Sequence, residues 1–109
     1  MMFREMVKSK IEKVELTGVN LEYRGSIGID LDWIEKADLL VGEKVQVVNL
    51  NNGERLETYV VEEPRGSKSI TLYGPAARKG MQGDRVTIIS YMLVDDNEAR
   101  HCKPKVVGN

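Results

Sequence analysis

Cysteine is scarce. Cys102 is the only one in 109 residues, so no disulfide can form within the chain, and a reducing cytoplasmic setting is expected. Histidine is equally rare: His101, beside Cys102, stands alone. A histidine triad or a metal cluster therefore lacks partners, the pair reads as ordinary surface, and no metal is expected. No run of about 18 apolar residues occurs, so no membrane-spanning helix is expected. Met1 to Lys8 carries charges where a secretory leader needs an apolar stretch. Neither sign of charge dominates: 16 basic and 17 acidic residues leave a formal charge of −1. With 6% aromatics and no cationic arm, a nucleic-acid-binding barrel of the swapped-hairpin kind is disfavoured. There is no P-loop, and Gly25-Ser26-Ile27-Gly28 lacks the spacing of a dinucleotide fingerprint. A chain so poor in acid–base groups either binds something or makes a cofactor of its own.

What remains is an ordinary globular composition, 41% hydrophobic and 30% charged, with room for one domain. Short strand-like runs bounded by turn residues dominate it. Val45 to Leu50 is rich in β-branched residues and ends at Asn51-Asn52-Gly53, where Asn-Gly signals a hairpin whose two central residues tolerate positive φ. Arg55 to Val61 is the expected return strand and Arg85 to Val94 a long late one. Further strands are expected over Ile11–Leu16, Ile27–Ile29 and Ser69–Leu72. One helix has a start signal: Asp32 is a candidate cap, Glu35 follows three residues on, and Trp33, Ile34, Ala37 and Leu40 recur at helical spacing. A shorter turn is expected over Pro75–Lys79, and Lys103–Asn109 reads as a tail that needs a partner surface. The pattern predicts a mainly β domain, a small barrel with one or two short helices.

Chemistry is best sought at Glu22-Tyr23-Arg24-Gly25-Ser26-Ile27. Glycine leaves its carbonyl carbon open and tolerates strained backbone, and the hydroxyl that attacks it is next in the chain. Attack of the Ser26 hydroxyl on the Gly25 carbonyl converts the amide to an ester. Elimination then leaves dehydroalanine, which hydrolyses to a pyruvoyl group, an electron sink comparable to pyridoxal phosphate. From these residues alone an ordinary turn into a strand is the favoured reading, because one Gly-Ser step in a chain of this length is unremarkable. A second Gly-Ser step, Gly66-Ser67, sits in the charged, proline-containing stretch Glu62–Lys68 and reads as an exposed turn.

The segment Tyr23-Arg24-Gly25-Ser26-Ile27-Gly28-Ile29-Asp30 resembles the cleavage region of the aspartate 1-decarboxylases. The resemblance extends through Met6–Ile11, Asn52–Tyr59, Arg65-Gly66-Ser67, Gly74–Arg78 and Gly83-Asp84, in order along nearly the whole chain. It implies a double-psi β-barrel over residues 1–109, cut between Gly25 and Ser26 into a short chain (1–25) and a long chain (26–109). It also implies a homotetramer with active sites between subunits. The implied cofactor is a pyruvoyl group from Ser26, with no metal and no pyridoxal phosphate. The implied reaction takes L-aspartate through a Schiff base to β-alanine and carbon dioxide, feeding pantothenate synthesis.

Residue by residue, Tyr59 matches the family's proton donor. Thr58 matches a residue that contacts substrate and assists cleavage, with a hydrogen bond to the Gly25 carbonyl oxygen as the expected device. Gly74, Pro75 and Ala76 match a loop whose backbone approaches the substrate, and Tyr23 matches a tyrosine before the scissile bond. Pairing a cation with the α-carboxylate would stabilise the group that must be lost, so Arg55 and Lys10 are expected on the side-chain carboxylate. Arg55 and Tyr59 share strand parity, and Lys10 has the parity of Val14 and Leu16 and is expected to point inward. Three positions depart from the family's pattern: Glu12 for histidine, Tyr73 for asparagine and Pro75 for alanine. The competing expectation is an uncut, non-catalytic barrel acting as a binding or scaffold protein.

Overall fold

The β-branched runs become strands in the computed structural model, which describes residues 1–108. They are β1 (Phe3–Glu15), β2 (Gly18–Asn20), β3 (Ser26–Asp30), β4 (Lys44–Asn49), β5 (Arg55–Glu63), β6 (Ile70–Tyr73), β7 (Arg85–Asp95) and β8 (Lys105–Gly108). They form one mixed sheet in the order β2-β6-β3-β5-β4-β7-β1-β8. The link between β1 and β2 curls the sheet into a small barrel. Leu16 N–H donates to the Asp84 carbonyl before β7 (2.7 Å), and Thr17 N–H donates to the Ile70 carbonyl of β6 (2.8 Å). Inward-pointing residues of alternating strands, among them Ile11, Ile27, Ile29, Val47, Val60 and Ile88, fill one core and are at most 1% exposed.

Three helical pieces accompany the strands: α1 (Leu31–Lys36), a 3-10 helix (Gly74–Lys79) and α2 (Asp96–Ala99). The third was not expected from the sequence. Asp30, rather than Asp32, caps α1, its carboxylate accepting from Asp32 N–H at 2.8 Å. Leu40 lies beyond the helix and is exposed.

Three other expectations are corrected. Of the expected tail, Lys105–Gly108 needs no partner surface, because it pairs in parallel with Ser9–Glu12 of the chain's own β1, while Asn109 lies outside the described residues. The Asn-Gly hairpin has positive φ only at Gly53 (77°); Asn49 Oδ1 turns the chain by accepting from Asn51 N–H (2.8 Å). Lys13 has φ 55°, and its bulge resets the alternation of β1 between Ile11 and Val14. Ile11 and Val14 therefore both point inward, and Lys10 turns outward.

Candidate active site

The 3-10 helix carries the wall of a cleft of about 420 Å³, also lined by Gly25, Leu56, Glu57, Thr58, Tyr59, Pro75, Ala76 and Lys79. Two side-chain amides fix the far end of that helix, because Asn49 and Asn52 each donate to the Lys79 carbonyl at 3.1 Å. The near end is fixed by contact. Gly74 has φ 66°, and a Cβ there would lie 2.7 Å from both Gly25 N and the Tyr23 carbonyl oxygen. Only glycine satisfies both the left-handed backbone and this approach.

Ser26 opens β3, pairs with Tyr73 of β6 and is 1% exposed. Its hydroxyl donates to the Arg24 carbonyl at 3.1 Å. Gly25 forms part of the cleft wall in front of it. Its φ is not in the left-handed region, and a Cβ would make only ordinary contact with Pro75 Cδ at 3.6 Å. The unusual backbone expected at Gly25 is absent there, and the left-handed glycine of the site is Gly74.

Thr58 lines the cleft, but among the described residues its hydroxyl makes no hydrogen bond to the Gly25 carbonyl. Tyr59 stands at the mouth, 38% exposed.

Arg55 and Lys10 are not in the cleft. Arg55 lies on the same side of β5 as Tyr59, but four residues along a strand is roughly 13 Å, and its guanidinium donates to Gln46 Oε1 at 3.2 Å. Lys10 occupies the outer face of β1, in a row with Ile89, Gln46 and Glu57 through paired strands. Glu12 forms no ion pair with Lys10 among the described residues. The cation lining the cleft is Lys79, which the sequence did not single out and which pairs with Glu54 at 2.8 Å. Its signal was its place five residues after Gly74, at the end of a short helix that opens on the cleft.

A larger depression, about 580 Å³, is lined by Lys13, Trp33, Lys68 and Arg85 among others and contains none of the candidate residues. Among the described residues no group of three His, Cys, Asp or Glu is placed to hold a metal ion. No helix is long and apolar enough to cross a membrane.

Residues 2–109 match the family described as aspartate decarboxylase. The chain belongs to that family. It is 56% identical over 106 residues to the aspartate 1-decarboxylase of Pelotomaculum thermopropionicum, covering 97% of this chain and 80% of the relative. It is 52% identical to that of Thermoanaerobacter pseudethanolicus and 51% to that of Parabacteroides distasonis, each over 97% of this chain and 91% of the relative. Family membership gives the cleft around Gly25 its meaning, because it is the concave site bordered by the serine-preceding glycine.

Proposed function

We propose that this chain is the precursor of an aspartate 1-decarboxylase that cuts itself between Gly25 and Ser26 and turns L-aspartate into β-alanine and carbon dioxide. The observation that carries the reading is the arrangement at Ser26: a buried hydroxyl next to a glycine carbonyl, with that glycine among the residues lining the cleft. These residues fit a pyruvoyl group made in place, since the residue before Ser26 has no side chain and lines the cleft. Ser26 Oγ attacks the Gly25 carbonyl carbon, and the Gly25–Ser26 C–N bond breaks as the ester forms. Elimination removes the Cα proton of residue 26 and expels the Gly25 carboxylate. One water then enters and one ammonia leaves.

The pyruvoyl group supplies a ketone that takes up the amino group of the substrate and draws electrons from its α-carbon. The chain's own residues do the rest. Leu56, Pro75 and Ala76 give the cleft apolar walls that keep water from the reacting carbon. The α-carboxylate faces these walls, while Lys79, the cation lining the cleft, is engaged by Glu54 at 2.8 Å, which favours loss of the carboxylate. Tyr59 holds a proton on its hydroxyl for delivery to Cα, and Thr58 contacts the substrate beside it. Arg55 grips the side-chain carboxylate with two hydrogen bonds and Lys10 adds a second charge. Because neither lines the cleft of its own chain, we assign both to the cleft of a neighbouring copy, in keeping with the homotetramer that the family resemblance implies.

Intact-mass measurement tests the proposal. Incubated protein should resolve into residues 1–25 and 26–109, the long piece should carry a carbonyl, and borohydride with aspartate should fix substrate to its first residue. A Ser26→Ala chain should stay whole and release no β-alanine. Turnover by that variant, or by uncut wild-type protein, overturns the mechanism. A whole, inactive wild-type chain points instead to a binding or scaffold role.

A further inference from the structure

Ser26 shares its face of β3 with a second group of contacts. Side chains directly opposite in an antiparallel pair lie on the same side, so Ser26 and Tyr73 do so, and Gly28 follows with the same parity. The space above Gly28 is filled by Glu63, whose Cγ would stand 2.9 Å from any Cβ there. From that position Glu63 accepts a 2.6 Å hydrogen bond from the Tyr73 hydroxyl. The bond to Glu63 raises the Tyr73 phenol above its ordinary value, with burial adding to it, so the hydroxyl keeps its proton. The Tyr73 ring in turn meets the ring of Tyr23, centroids 5.0 Å apart and planes tilted by 56°. Tyr23 lies two residues before the scissile bond. Its ring therefore rests on Tyr73 while its carbonyl rests on the next residue, Gly74.

We propose that Tyr73, held by Glu63 over Gly28, is a positioning residue for self-cleavage, its ring fixing Tyr23 and so the course of residues 23–25. The inference rests on the self-cleavage reading above. Attack requires Ser26 Oγ to leave the Arg24 carbonyl, 3.1 Å away, and meet the carbonyl carbon of Gly25. Tyr23 and Arg24 are exposed, and an unrestrained exposed segment spends little of its time in one attack geometry. The tyrosine pair restrains its side-chain edge as Gly74 restrains its backbone. The Tyr73 ring, the Glu63 carboxylate and the missing side chain at Gly28 form one unit.

The test is the rate of chain cutting, followed by intact mass on freshly made precursor, with thermal midpoints measured alongside. Tyr73→Ala should slow cutting by roughly tenfold or more. Tyr23→Ala should slow it similarly, and the double variant should be no slower than either single. Tyr73→Phe keeps the ring and loses only the bond to Glu63, so it should fall between Tyr73→Ala and wild type and guards against simple misfolding. Glu63→Gln, which still accepts a hydrogen bond, should cut nearly as wild type. Cutting by Tyr73→Ala at the wild-type rate, or rate losses that multiply in the double variant, overturns the assignment of Tyr73 alone. A wild-type chain that stays whole overturns it together with the self-cleavage reading.

Discussion

Asp30 is a buried carboxylate, 2% exposed, that organises the chain next to the candidate site. Its oxygens accept from the N–H groups of Asp32 (2.8 Å), Gly66 (3.0 Å) and Lys68 (2.8 Å). One side chain thus starts α1, ends β3 and anchors the Gly66-Ser67 turn. Burial pushes its pKa up, but the three backbone donors and the nearby Arg65 guanidinium outweigh burial, and the net value falls below the ordinary 3.8. A carboxyl depressed in the folded state adds stability that is complete above its unfolded value and is lost as pH falls through the folded one. Asp30→Asn should therefore lower unfolding free energy at pH 7 by about 1–3 kcal/mol. In urea titrations the gap between variant and wild type should close as the pH falls below about 4. A gap that stays constant down to pH 3 would disprove the assignment.

Among the elements, β8 has the most consequence for its size. It covers the edge of β1 at Ser9–Glu12, and Val107 packs against the core together with Leu31 and Trp33. Truncation after Pro104 should cost roughly 2 kcal/mol through lost apolar burial, read as a lower denaturation midpoint. The uncovered edge should also make the truncated chain prone to associate; an unchanged midpoint would show that β8 contributes no stability. This strand was not legible in the sequence because its four residues are only two valines flanked by a lysine and a glycine and show no strong alternation. The long strands were legible, since Val45–Val48 and Val86–Ile89 combine β-branching with clear boundaries. Parity failed for Lys10 because a one-residue bulge at Lys13 reverses which face Ser9–Ile11 take relative to the later residues, and nothing in lysine's chemistry announces a left-handed φ. Gly25, Thr58, Tyr59, Pro75 and Ala76 meet at one cleft because strand β5 and the loop after β6 both adjoin β3. That neighbourhood depends on sheet order, which no local pattern encodes; the motif order along the chain supplied what periodicity lacked.

At the scale of the molecule, the outline is elongated, 44 × 25 × 24 Å. At its ribbon of β1 and β7, Phe3 is 52% and Leu93 71% exposed. Apolar side chains of this size on a chain this short suit contact with further copies. If Arg55 serves a neighbour's cleft, the loss of Arg55 and the loss of Tyr59 should complement. Arg55→Ala and Tyr59→Phe proteins should each be nearly inactive. Co-expressed in one assembly, they should regain turnover, with roughly a quarter of the sites holding both native residues. Co-expressed variants that stay inactive, in assemblies shown by mass to contain both, would place both side chains in one subunit's site.

The sheet order has a further consequence for what a nick at Gly25 does to the molecule. The segment ahead of it is no appendage. β1 lies between β7 and β8, hydrogen-bonded on both sides, and β2 adds to β6. Ser26, the residue such a cut would expose, is likewise held at the head of β3, which lies between β5 and β6. Breaking the covalent chain there frees neither piece from the other. The two halves would part company only when the barrel itself melts, so a severed chain would keep its shape and its new end would keep its address.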